Sequence, residues 1–129
     1  MIVTKVDNTI KYIVLPDSDD GVLKDIESYK YFNDDNYVVV KGDVKEVVIK
    51  ESVTSIDSNA FSGCTSLLHV TIGDSVTTIG SSAFDSCSSL TFVTIGDSVT
   101  TIGDNAFYHC SSLTAIIIPN SVTTIHDRA

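Results

Sequence analysis

Residues 67–89, LLHVTIGDSVTTIGSSAFDSCSS, are one unit of a sequence that repeats every 23 residues along most of the chain. The repeat is carried mainly by apolar positions, which form columns when the units are aligned: Ile49, Ile72, Ile95 and Ile118; Val53, Val76, Val99 and Val122; Ile56, Ile79, Ile102 and Ile125; Phe61, Phe84 and Phe107; Leu67, Leu90 and Leu113. A constant period of about 20 to 29 residues is typical of a solenoid, in which each coil buries its apolar face against its neighbours. The period therefore predicts a stacked repeat protein.

Within the unit, two extended runs alternate with turns. Val70-Thr71-Ile72 alternates apolar and polar residues, as a half-buried strand does. Gly73-Asp74-Ser75 predicts a turn, because Gly tolerates positive φ and the Asp and Ser side chains bond to nearby backbone N–H groups. Val76–Ile79 is a second run rich in β-branched residues, and Ala83–Cys87 has the spacing of a single helical or 3₁₀ turn.

The unit resembles the repeat of the BspA-like leucine-rich repeat family. Three segments carry the resemblance: Ile118-Pro119-Asn120-Ser121-Val122-Thr123-Thr124-Ile125, Ile79-Gly80-Ser81-Ser82-Ala83-Phe84 and Cys87-Ser88-Ser89-Leu90. The resemblance implies an α/β-type repeat, a short right-handed solenoid with a parallel β ladder on its concave side and short strands and single helical turns on its convex side. It also implies protein binding or cell-surface adhesion as the role, and it brings no catalytic residues with it.

The first 43 residues do not repeat cleanly, and we interpret them as an N-terminal cap on the apolar end of the solenoid. The apolar runs at residues 2–6 and 9–15 predict a β-hairpin. The apolar spacing over residues 22–32 predicts a short helix. Residues 15–18 echo residues 118–121, so a degenerate repeat is a second interpretation of the cap. Residues 44–129 are then the solenoid, with three full coils and one partial coil.

Composition and charge argue against several classes of function. The net charge is −9, and the only basic residues beyond position 46 are Lys50 and Arg128. The chain therefore lacks the basic stripe that a nucleic-acid-binding protein needs. No stretch approaches the roughly 20 apolar residues that span a bilayer, so no membrane insertion is expected. The N-terminus lacks the apolar core of a signal peptide. The chain as written is expected in the cytoplasm, whereas the resemblance implies the cell surface or secretion, and both localisations stay open.

No arrangement of polar residues predicts an active site or a metal site. His69, His109 and His126 occupy three different repeat positions, so they cannot share a metal ion or activate one nucleophile. Phosphate-binding loops and nucleophile motifs are missing from the sequence. One acidic column brings carboxylates about 5 Å apart but offers too few oxygen ligands for Ca²⁺, so capping of the turns is the favoured interpretation: Glu51, Asp74, Asp97 and Asn120. We therefore predict no catalysis, no metal and no cofactor.

The three cysteines share one repeat position: Cys64, Cys87 and Cys110. Stacked Cα atoms about 5 Å apart lie within the range that a disulfide needs. We favour the simpler interpretation that each thiol is a small buried apolar group. Free thiols fit a reducing compartment or a secreted protein with deeply buried sulfurs.

The concave face is the predicted surface for a protein partner. Its outward columns are Glu46, His69, Phe92 and Ala115; Val48, Thr71, Thr94 and Ile117; and Lys50, Gly73, Gly96 and Pro119. Clustered apolar side chains would mark an interaction patch, although isolated exposed ones are normal. The predicted partner-binding residues are Glu46, Leu68, His69, Thr71, Phe92, Thr94 and Ile117. Four strands offer a face of roughly 300 Å², compared with about 800 Å² per partner in a standard interface.

The last coil supports a second hypothesis. It contains Ile118, Val122 and Ile125 but no Phe, Cys or Leu to complete its unit. An open strand edge over an apolar end favours end-to-end docking of two copies. Fraying of the last residues and origin in a longer chain are the alternatives. The sequence thus supports either a non-catalytic protein-interaction module or an assembly unit that forms a homodimer through its C-terminal coil.

Overall fold

Ten short strands lie along the part of the chain described by the computed structural model, which covers residues 2–6, 9–15, 22–23, 42, 44–49, 51 and 53–129. The strands are β1 (Ile2–Val6), β2 (Thr9–Leu15), β3 (Val22–Leu23), β4 (Glu46–Ile49), β5 (Ser55–Ile56), β6 (His69–Ile72), β7 (Thr78–Ile79), β8 (Phe92–Thr94), β9 (Thr101–Ile102) and β10 (Thr124–Ile125). They form one sheet in the order β1-β2-β4-β6-β8 and a second in the order β10-β9-β7-β5-β3.

Successive coils pair in parallel at the same repeat positions. In the first sheet Glu46 lies opposite His69, and His69 lies opposite Phe92. In the second sheet Ile56 lies opposite Ile79, which in turn lies opposite Ile102. The structure is therefore a parallel-strand β-solenoid of about three turns, as the 23-residue period predicts. The right-handed winding and the concave curvature of the first sheet stay predictions.

The apolar columns of the repeat form a continuous core between the two sheets. The side chains of Phe61 and Phe84 are fully buried, and their rings stack with centroids 5.2 Å apart. The ring of Phe107 continues the stack at 5.3 Å from Phe84. Leu67 and Leu90 are buried beside them. Because each coil contributes the same side chain at the same level, the core is a set of ladders rather than an irregular cluster.

Hydrogen-bonded turns join the two sheets on the side of the Phe column. The same repeat position takes a φ of 55° to 61° in Asn59, Ser82, Asn105 and Arg128, and a second takes 55° to 76° in Gly63, Ser86 and His109. Because the backbone shape recurs, each turn donates N–H groups to the next coil, as in the bond of 2.7 Å from Phe61 N to Ala83 O. No α-helix occurs among the described residues.

The N-terminal strands confirm one prediction and overturn part of another. β1 and β2 pair antiparallel, so the predicted hairpin is present. The helix predicted over residues 22–32 is wrong at its start, because Val22 and Leu23 form β3 and pair with β5. The rest of that helix lies outside the described residues. β2 places Leu15 opposite Ile49, so β2 and β3 extend both ladders as a preceding coil would. The domain boundary at residues 43 and 44 stays a prediction.

The fourth coil joins the second sheet but not the first. Thr123 N donates to Thr100 O at 2.9 Å, and β10 pairs with β9. By contrast, residues 114–118 form no strand, and no backbone hydrogen bond joins them to β8. The expectation of four strands in the solenoid's first sheet, with Ala115 and Ile117 in its outward columns, is therefore wrong.

The backbone is sterically crowded at the column of Gly73 and Gly96, next to the point where residues 114–118 leave the sheet. At the end of the strand, Gly96 lies so close to the coil before it that an added Cβ would be 2.7 Å from the Gly73 carbonyl carbon and 2.9 Å from Ile72 O. The fourth coil has Pro119 at this position. A proline carries both a Cβ and a ring Cδ and lacks the N–H of a ladder residue. Pro119 therefore cannot stack on Gly96 as Gly96 stacks on Gly73.

Candidate functional site

The outward side of β4, β6 and β8, which we call the ladder face, contains most of the predicted partner-binding residues. Glu46, His69 and Phe92 form one column, and Thr71 and Thr94 lie in the next. Phe92 is 59% exposed, and its ring meets that of His69 edge to face with centroids 6.4 Å apart. The exposed aromatic pair thus lies beside the exposed Thr71 and Thr94 on the same face of the sheet.

Two further predicted residues lie beside the ladder face. Leu68 is 39% exposed and directly precedes β6, where Leu68 O accepts the N–H of Thr91 at 3.0 Å. Ile117 is 84% exposed and lies on the segment that leaves the first sheet. The structure therefore places Ile117 across a groove from Phe92 rather than next to it in a strand.

The groove between β8 and residues 114–121 is the feature that the sequence analysis missed. Its volume is about 850 Å³, and its walls are formed by residues 91–95, Asp97 and residues 114–121. The outer edge of β8 faces this space, because no described strand follows β8 in the first sheet. Ser121 lines the groove, and its hydroxyl oxygen is buried without a hydrogen-bond partner among the described residues. The signal in the sequence was the change from Gly73 and Gly96 to Pro119 within one column.

A second, smaller hollow of about 180 Å³ opens at the C-terminal end of the core. It is lined by Ile102, Phe107, Leu113, Ile116, Ile118, Ile125 and Ala129. Ile118 is 39% exposed and Ile125 is 55% exposed, so two of the predicted self-association residues meet there. The third, Val122, is half-buried against the core and does not line the hollow.

One carboxylate of the acidic column, that of Asp74, caps the backbone of the next coil. Asp97 N donates to Asp74 Oδ1 at 3.2 Å, across the step from one coil to the next. On the opposite sheet, Asp127 N donates to Asp104 Oδ1 at 3.1 Å. Within the described residues, no group of three or more His, Cys, Asp or Glu side chains is close enough to hold a metal ion.

The three cysteines of the shared column are buried and form no disulfide with one another, which confirms the simpler interpretation of them. The Cys87 Sγ–H donates to Phe61 O at 3.3 Å, and the Cys110 Sγ–H donates to Phe84 O at 3.2 Å. A hydrogen bond with the Cys110 thiol, and then burial, raise the pKa of Cys87 far above the ordinary range of a thiol. The Cys87 thiol therefore stays protonated and serves as a packing group.

The comparisons with known proteins agree with this architecture. The family model for the BspA type leucine rich repeat region matches residues 24–129 in six copies. A leucine-rich repeat protein from T. pallidum matches 68% of the chain at 34% identity with a TM-score of 0.63, and one from Bacteroides ovatus matches 95% at 28% identity with a TM-score of 0.61.

The chain spans only 42% and 34% of the length of these two solved proteins. No curated protein sequence matches it significantly. Where the structure describes the chain, it contains no helix of the length and apolarity that crossing a membrane would require.

Proposed function

Because the chain belongs to the BspA-type leucine-rich repeat family, we propose that it is a non-catalytic protein-interaction module, with adhesion as one form of that role, and that it binds a partner protein through the ladder face. Repeat proteins of this kind are typically interaction modules and generally not enzymes. The observation that supports the ladder face is the exposed pair of His69 and Phe92, because aromatic side chains on a rigid surface are enriched in the centres of protein interfaces.

The size of the face limits the affinity of a single copy. The three strands of the ladder face cover less than the roughly 300 Å² of four strands, and all five strands of the first sheet together cover only about 400 Å². A standard interface uses about 800 Å² on each partner. We therefore expect weak binding by one ladder face alone, strengthened where several copies are displayed together.

Replacing Phe92 with Ser tests the proposal. A partner retained by the immobilised chain is identified by mass spectrometry, and its affinity for each variant is measured by calorimetry. We expect Phe92→Ser to weaken binding at least tenfold, about 1.4 kcal/mol, because a central aromatic anchor is lost. Tyr108→Ser is the matched control, since Tyr108 is 40% exposed but lies in a turn outside the first sheet. Equal affinity of both variants for the partner would contradict the proposal.

The C-terminal hollow supports a second candidate, assembly of two copies end to end. Its walls are apolar, and Ile118 and Ile125 stand exposed at its rim. Large exposed apolar groups around a hollow favour docking of a complementary surface. Self-docking would bury both residues in the interface.

Light scattering over a range of concentrations tests this second candidate. If the hollow joins two copies, the wild-type mass doubles with concentration and Ile125→Asp returns it to that of a monomer, because a charge would be buried in the interface. Ile117→Asp is the matched control, since Ile117 is exposed but does not line the hollow. A wild-type chain that stays monomeric at all concentrations would exclude this candidate.

A further inference from the structure

The outer edge of β8 pairs with no other strand in the part of the chain that the structure describes. Phe92 N donates to Leu68 O, so the backbone groups of Phe92 face β6. Alternate residues of a strand direct their N–H and C=O groups to opposite neighbours. The backbone N–H and C=O of Val93 therefore point into the groove, away from β6.

The chain's own fourth coil does not take this position. Residues 114–118 lie across the groove and make no backbone hydrogen bond with β8. Both ends of this segment are held in place, because Leu113 N donates to Cys110 O at 3.0 Å and Thr123 N donates to Thr100 O at 2.9 Å. The volume of about 850 Å³ lies within the range of about 300–1,000 Å³ that is usual for ligand sites in proteins.

Two groups in the groove are placed to bind an added strand beyond its backbone ladder. The Asp74 carboxylate accepts the N–H of Asp97 in the next coil. Asp97 is the next carboxylate of the same column and lines the groove, so the same bond to an added strand would use the Asp97 carboxylate. The buried hydroxyl oxygen of Ser121, which has no partner among the described residues, lines the same groove. Both groups are observations separate from the open edge of β8, and both favour an extended ligand with hydrogen-bonding groups along its backbone.

The residues that line the groove also favour particular residue types at each position of the added strand. Side chains over Val93 and Ile95 must continue two apolar columns, which favours β-branched residues at alternate positions. The next residue must stack on Gly96 as Gly96 stacks on Gly73, where there is no room for a Cβ. The residue after that meets the Asp97 carboxylate on a chain of net charge −9, which favours Lys or Arg.

We propose that the groove binds an extended segment of another protein, with the pattern Val-x-Ile-Gly-Lys, as a parallel strand added to the edge of β8. A second copy of this chain is a poor donor, because its own segments of this pattern, residues 70–73 and 93–96, already lie in the ladder. The proposal rests on the proposed function, since it assigns a binding mode and a class of partner to the same side of the molecule. β-strand addition supplies affinity through the backbone and specificity through alternate side chains.

A labelled peptide tests the proposal on the full chain. The probe is Ser-Leu-Leu-His-Val-Thr-Ile-Gly-Lys, which is residues 66–73 followed by Lys, and its binding is measured by fluorescence anisotropy. We expect saturable binding that weakens at least tenfold when Gly in the peptide is replaced by Pro. In the complex, the backbone amides of Val93 and Ile95 become protected from hydrogen exchange. Absence of binding, equal binding of both peptides, or binding without this protection would overturn the proposal.

Two variants of the chain sharpen the test. Asp97→Asn is expected to weaken peptide binding about threefold or more and to reduce its salt dependence. Glu51→Gln removes the same charge two coils away in the same column and should leave binding unchanged.

Protection of Val93 that grows with protein concentration alone would identify a second copy as the occupant and overturn the proposal. If the peptide does not bind but the partner protein still binds in a way that depends on Phe92, strand addition is rejected and the ladder face is kept. If the peptide binds but Phe92→Ser leaves the affinity for the partner protein unchanged, the ladder face is rejected and strand addition is kept.

Discussion

Replacing Phe84 with Ala is expected to lower the free energy of unfolding by about 3–5 kcal/mol, measured by urea denaturation followed by circular dichroism. The Phe84 side chain is fully buried. Its ring stacks between Phe61 at 5.2 Å and Phe107 at 5.3 Å, with interplanar angles of 4° and 3°. The substitution removes both ring contacts and leaves a cavity that stacked coils cannot close, because their spacing is set by the strand ladders on either side.

Phe107→Ala is the matched control for this prediction. Phe107 stacks on Phe84 alone and is only half-buried, because it borders the hollow at the C-terminal end. We therefore expect a clearly smaller loss of stability from Phe107→Ala than from Phe84→Ala. Equal losses would mean that the end of the core is as well covered as its centre, which would contradict the open end. A negligible loss from Phe84→Ala would contradict the stack itself.

The repeat period predicted the solenoid because it aligns chemically equivalent residues. Once Ile72 and Ile95 share a column, parallel pairing of β6 with β8 is the simplest way to bury both of them in the core. The same alignment placed His69 next to Phe92 and Thr71 next to Thr94, so the ladder face was predictable from the sequence. The buried thiol column followed from the same argument.

The period could not predict how closely two coils approach each other. Alignment assigned Pro119 to the column of Gly73 and Gly96, but only the backbone distances show that this column has no room for a Cβ. The groove beside β8 follows from those distances and not from the hydrophobic pattern. Likewise, the spacing of apolar residues after Val22 fits one helical face, yet Val22 and Leu23 pair with β5. Tertiary pairing overrides a local pattern of so few residues.

Gly96→Ala tests the close approach directly and is expected to lower the free energy of unfolding by about 1–3 kcal/mol or more. The added Cβ would lie 2.7 Å from the Gly73 carbonyl carbon and 2.9 Å from Ile72 O. Both atoms are backbone, so neither can rotate away, and the two coils must separate at the end of the ladder. The φ of Gly96 is not in the left-handed region, so the expected loss is steric rather than conformational.

Substitutions at two other glycines separate the stability lost through steric crowding from the stability lost through backbone strain. Gly42 has nothing within 4 Å of an added Cβ, so Gly42→Ala should change the stability by less than about 0.5 kcal/mol. Gly63 also has open space but takes a φ of 76°, so Gly63→Ala should cost about 1 kcal/mol through backbone strain alone. Ser86 and His109 take the same conformation one and two coils later, so the fold tolerates that strain. If Gly96→Ala were no more costly than Gly63→Ala, crowding could not be what keeps Pro119 and residues 114–118 away from β8.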